Sequence, residues 1–156
     1  MHSTRVRQKI DAPRATVYRL LLDAEAIARW RVPDGMSAEV HEFDAREGGR
    51  LRVSLTYDDQ SPAGKTTSHT DTYTGRFVRL VPDEMVVEVD EFETEDSQLR
   101  GEMTSTITLS DSDGGTELIA VHEGLPPGVS LADNETGWQM ALAKLGELAE
   151  SSQTSR

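Results

Sequence analysis

The strongest constraint on the fold lies near the C-terminus. Trp138, Ala141, Leu142, Leu145, Leu148 and Ala149 recur at three- and four-residue spacing, which is the apolar stripe of one helix face. No other stretch of the chain carries so long an apolar helical face. Most of the sequence between residues 38 and 123 alternates with period two instead, the pattern of half-buried strands. Runs of strands joined by short turns imply an antiparallel sheet. Such a sheet needs cover on one face, and the last helix supplies the stripe to cover it.

Val6, Gln8 and Ile10 alternate with Arg5, Arg7 and Lys9, predicting a short first strand with a charged outer face. Asp11-Ala12-Pro13 ends it and opens a helix, because the missing N–H of Pro13 is one the first helical position leaves unpaired anyway. Val17, Tyr18, Leu21 and Leu22 form that helix's apolar face. A second short helix is predicted over 25–30, stopped by Pro33-Asp34-Gly35. Strands are predicted over 38–44, 51–57, 69–80, 85–92, 103–109 and 116–123. The stretch 58–65 reads as a loop and 93–101 as a solvated acidic loop. Asp111-Ser112-Asp113-Gly114-Gly115 is a hairpin signal, because glycine tolerates the positive φ of such turns. Ser130 is placed to cap the final helix, with Asp133 near its positive end. With no repeat and no linker, residues 1–150 read as a single domain and 151–156 as a frayed tail.

A chain of 156 residues with 36% hydrophobic residues can bury a substantial core. Its net charge of −12 argues against nucleic acid and anionic lipid as partners. The absence of cysteine excludes disulfides, thiolate catalysis and Cys-ligated zinc. No apolar run reaches the length of a membrane span, and residues 1–10 do not read as a signal peptide. A cytoplasmic location without membrane insertion is the expectation.

Several short motifs then fall in order along the chain. They are Ile10-Asp11-Ala12-Pro13, Ala28-Arg29-Trp30 with Pro33, and Asp44-Ala45-Arg46-Glu47-Gly48-Gly49. Gly75-x-Phe77 before Val81-Pro82, Gly114-Gly115-Thr116, His122-Glu123-Gly124 and Gly137-Trp138 complete the series. Together they resemble the START-like (SRPBCC) superfamily. The nearest branch is the one related to the C-terminal domain of the activator of heat-shock-protein ATPase. The resemblance spans about 10–148. It implies an α+β helix-grip fold, a curved antiparallel sheet of six to seven strands around a long C-terminal helix, with two short helices after the first strand. It also implies a cavity between sheet and helix. It does not imply one activity, since the superfamily includes lipid and hormone binders and cyclases. In the heat-shock branch, activation depends on a further N-terminal domain, whereas this chain opens on its first strand.

Period two on the strand 69–80 places His69, Asp71, Tyr73 and Phe77 on the inward face and Thr70, Thr72, Thr74 and Arg76 toward solvent. Inward polar groups need partners: each other, water or a ligand. His69 and Asp71 are spaced as an acid–base pair; the plainer alternative is a strand end emerging into water. Stepping back from Trp138 by four and three places gives Asn134 and Glu135, at the cavity mouth or simply at a helix terminus. Trp30 and Trp138 either line the pocket or pack the core. His122 shares a phase with Leu118 and Ala120 and points inward. His41, His69 and His122 lack metal-ligand spacing, so no metal or cofactor is expected.

Three functions remain open. The first is a binding protein for a small hydrophobic or amphipathic molecule, held by Trp30, His69, Asp71, Tyr73, Phe77, His122, Asn134, Glu135 and Trp138. The second is a cyclase, dehydratase or hydrolase with His69 and Asp71 as catalytic pair. The third is a protein-interaction module. A protein partner and a homodimer both stay open.

Overall fold

A computed structural model of the chain describes residues 2–57 and 70–154. The elements are β1 (Ser3–Ile10), α1 (Arg14–Leu21), α2 (Ala24–Trp30), β2 (Met36–Phe43), β3 (Arg50–Tyr57), β4 (Thr70–Val81), β5 (Met85–Phe92), β6 (Met103–Ser112), β7 (Gly115–Glu123) and α3 (Leu131–Thr154). The strands form one antiparallel sheet in the order β1-β7-β6-β5-β4-β3-β2. The sheet curls into a half-barrel, and α3 lies along its inner face against β1, α1 and α2. This is the helix-grip architecture. Among the described residues, no helix is long and apolar enough to cross a membrane.

The core forms where the two periodicities meet. Val6, Ile10, Leu51, Val53, Leu118 and Ala120 of the sheet pack with Ala141, Leu142, Leu145 and Ala149 of α3 in one buried cluster. The β6–β7 hairpin turns at Asp113 (φ 45°) and Gly114 (φ 82°), two successive left-handed residues, as a two-residue turn matched to strand twist requires.

Three expectations change. The helix α3 continues to Thr154, past the frayed tail expected from 151, and Arg19 of α1 donates to Ser152 at 3.5 Å in that last stretch. Thr72, expected in solvent, is buried, because its hydroxyl bonds Ser54 Oγ at 2.7 Å and Ser54 in turn bonds His41 Nε2 at 2.8 Å. The outer face here carries its own polar chain. A register shift between Phe77 and Arg79 also interrupts the simple alternation of β4.

Candidate functional site

Strand register aligns polar side chains on the inner face of the sheet. Thr4 faces His122, His122 faces Ser105, and Ser105 faces Glu88. A polar row therefore crosses β1, β7, β6 and β5 at one level. One pair further along, Asp90 on β5 faces Gly75 on β4. Glu88 and Asp90 are two residues apart, so both carboxyls point inward.

The cation that answers them comes from the end of α2. Asp23 caps this helix, accepting from the Glu25 and Ala26 amides at 2.9 and 3.2 Å. Trp30 ends it with a buried ring whose Nε1–H donates to Leu20 O at 3.2 Å. Arg31 is thereby aimed at the sheet. Its Nη1 donates to Glu88 Oε1 at 2.9 Å, and Nη2 lies 2.7 Å from Oε2 of the same carboxylate and 3.4 Å from Asp90 Oδ2. Lys144 of α3 holds the next residue, donating to Val32 O at 2.6 Å. The guanidinium also lies over the rings of Tyr73 (5.3 Å) and Trp138 (5.8 Å).

One buried cation faces two buried carboxyls. Burial, then the neighbouring Glu88, drive the Asp90 carboxyl far above the usual carboxylate range. Burial opposes charge on Glu88 too, but Arg31 and the bond from Asp90 outweigh it and hold Glu88 below its ordinary value. The cluster is thus a proton-sharing carboxyl pair with one negative charge, matched by Arg31.

His122 stands beside this cluster. Its Nδ1 receives Trp138 Nε1–H at 3.1 Å and the Asn134 side-chain amide at 3.2 Å. Asn134 in turn accepts from the Thr4 hydroxyl at 2.6 Å. Burial first, and then Arg31, push the imidazole down to about 4, so it is neutral at pH 7.

These groups line a cavity of about 320 Å³ between the sheet and the first half of α3. Met36, Leu55, Phe92, Met103, Val129 and Ala141 supply apolar wall. Arg31, Tyr73, Asp90 and His122 supply polar wall. The Tyr73 hydroxyl is buried and has no hydrogen-bond partner, and burial pushes it well above its usual value.

The sequence-selected residues divide as follows. Asp71, Tyr73, His122, Asn134 and Trp138 come together on the cavity wall. Trp30 does not: it is core, and its part is to fix the end of α2. Phe77 faces inward but packs edge-on against Phe43 at 5.5 Å, off the cavity. Glu135 is exposed, because one residue along a helix turns about 100° away from the face that carries Asn134 and Trp138. His69 lies outside the described residues. Among those described, no three His, Asp or Glu side chains gather as metal ligands. Sequence reasoning missed Arg31, Glu88 and Asp90. Their signal is the phase shared by Glu88 and Asp90 with Val86 and Phe92, opposite a strand glycine.

The family of the activator of Hsp90 ATPase homolog 1-like proteins matches residues 11–150. The chain belongs to this family. Its structure is similar to that of protein CV1439 from Chromobacterium violaceum, with 34% identity over 96% of this chain and 97% of that one and a TM-score of 0.85. A Rhodobacter sphaeroides protein is 19% identical over 96% and 93%, with a TM-score of 0.78. An Arthrobacter aurescens protein is 16% identical over 96% and 87%, with a TM-score of 0.76. The last two likenesses concern the fold alone. No curated protein matches the chain.

Proposed function

We propose that this family member binds a small, mainly apolar molecule in the cavity between sheet and α3. The observation that carries the reading is the wall itself: apolar over most of its extent, with Arg31, Tyr73, Asp90 and His122 converging on one side. A volume of about 320 Å³ lies at the small end of ligand pockets, which run from roughly 300 to 1,000 Å³. The polar side gives orientation and the apolar side gives affinity. Asp71, Asn134 and Trp138 complete the contact set, and Trp138 joins both parts, since its ring packs while its N–H binds His122.

Native mass spectrometry of the protein purified without denaturation tests this, beside thermal shift against a panel of apolar and amphipathic compounds. A retained small molecule, or a melting shift that Met103→Trp abolishes by filling the cavity, supports binding. A protein that carries nothing and shifts with no compound counts against it.

A further inference from the structure

Arg31 is matched by the Glu88–Asp90 pair, and beside the unpartnered Asp90 Oδ1 the cavity wall carries two hydrogen-bond donors without an acceptor among the described residues. Trp138 Nε1–H is a donor and nothing else, and it lies 3.1 Å from His122 Nδ1. That nitrogen must therefore accept, and the neutral ring must carry its hydrogen on Nε2. The same logic orients Asn134: its NH₂ faces His122, and its oxygen takes the Thr4 hydroxyl. Thr4, Asn134 and Trp138, from β1 and α3, together set one tautomer. Among the described residues, Nε2–H has no hydrogen-bond partner, while its ring lines the cavity. The Tyr73 hydroxyl is the second donor without an acceptor. The Tyr73 hydroxyl is buried as well as unpaired, and an unpaired donor shielded from water is costly until something accepts from it.

We propose that the ligand is a neutral molecule, apolar over most of its surface, that presents a carbonyl oxygen to the Nε2–H of His122, with Tyr73 O–H as second donor. The inference rests on the binding reading above and gives it a chemical class. A carbonyl oxygen has two lone pairs for two donors. A carboxylate would find its cation already taken, because Arg31 is committed to Glu88 at 2.7 and 2.9 Å. It would also meet Asp71 and Asp133 on the same wall. A third buried charge without a partner is strongly disfavoured.

The test is calorimetric titration of the full chain at pH 7 with four probes on one scaffold. They are 2-acetylnaphthalene, 2-ethylnaphthalene, 2-naphthoate and 2-(aminomethyl)naphthalene. The ketone is expected to bind about tenfold more tightly than the hydrocarbon, as one good hydrogen bond allows, and more tightly than either ion. His122→Phe should weaken the ketone several-fold more than the hydrocarbon, and His122→Phe combined with Tyr73→Phe should erase the difference between the two. Long-range proton–nitrogen NMR of the unaltered protein should show the Nε2–H tautomer of His122, a readout independent of how the variant folds. Tighter binding of the acid or the amine, a ketone preference that survives loss of both His122 and Tyr73 donors, or an Nδ1–H tautomer each overturns the carbonyl assignment and leaves binding intact. Failure of all four probes to bind overturns both.

Discussion

Gly75 and Asp90 face each other across β4 and β5, and the Asp90 carboxyl fills the place of a side chain at position 75. A Cβ built there would stand 1.8 Å from Asp90 Oδ1 and 2.6 Å from Val89 O. The glycine is therefore a packing partner of a buried acid. Gly75→Ala should cost about 2–4 kcal/mol, since it displaces a group held in an ion-paired network. Urea unfolding checks the value. In the double variant with Asp90→Ala, the part of that cost due to the carboxyl should vanish while the contact with Val89 O remains, a non-additivity expected of groups in contact.

Arg31 is the sole cation bonded to Glu88 and Asp90 among the described residues. Arg31→Met leaves a carboxylate buried without compensation and should cost about 3–5 kcal/mol. The triple variant R31M/E88L/D90L removes all the charge at once, and it should recover most of the lost stability. Equal instability of the single and triple variants, measured by urea unfolding, would refute the view that charge balance holds this cluster.

Trp138→Phe keeps an aromatic ring, though a smaller one, and removes the N–H. The His122 tautomer should then lose its strongest constraint, and Nδ1–H should become populated in nitrogen NMR spectra. Stability should fall by about 1 kcal/mol for the lost hydrogen bond, and further for the buried volume the smaller ring leaves unfilled.

His122 and Asp90 make stability depend on pH with opposite signs. His122 is held down at about 4 in the folded protein, whereas an unfolded histidine titrates near 6.5. Its contribution is complete above about 6.5 and is lost as pH falls toward 4, by about 3 kcal/mol at most. Asp90 is raised in the folded state. Its contribution is complete below the ordinary aspartate range and is lost as pH rises through its elevated value. The two slopes oppose each other above pH 4, so the wild-type profile is shallower than either group alone would give. Asp90→Asn should expose the histidine limb, with stability rising from about pH 4 to about 6.5. Urea midpoints at half-unit pH steps, beside a direct NMR titration of His122, decide this.

The sequence made the architecture legible because strands and the last helix differ in apolar period. The stripe from Trp138 to Ala149 and the alternation of β3, β6 and β7 leave little freedom, and Asp113-Gly114 fixes one hairpin. The site was legible only in part. Asp71, Tyr73, His122, Asn134 and Trp138 follow from phase on a strand or helix with one apolar face. On β5, apolar residues occur in both phases, Val86 and Phe92 in one and Val87 and Val89 in the other. Period two therefore cannot say which face is inside, and the alternation singles out neither Glu88 nor Asp90. Arg31 lies on no periodic element at all. Its role comes from where α2 stops and from the sheet's curl. Trp30 and Glu135 fail for a related reason: spacing identifies a face, and the neighbouring elements decide what that face meets.

The hydrogen bond from Thr4 to Asn134 joins residues 130 positions apart. During synthesis the first strand leaves the ribosome long before α3 exists, and at roughly 5–20 residues per second it waits several seconds for its partner. The strand that forms the sheet edge beside β7 and the helix that roofs the cavity are made 130 residues apart. A nascent chain stopped before residue 131 would display the open, apolar inner face of its sheet to the cell. That face is therefore covered in one step, when α3 emerges.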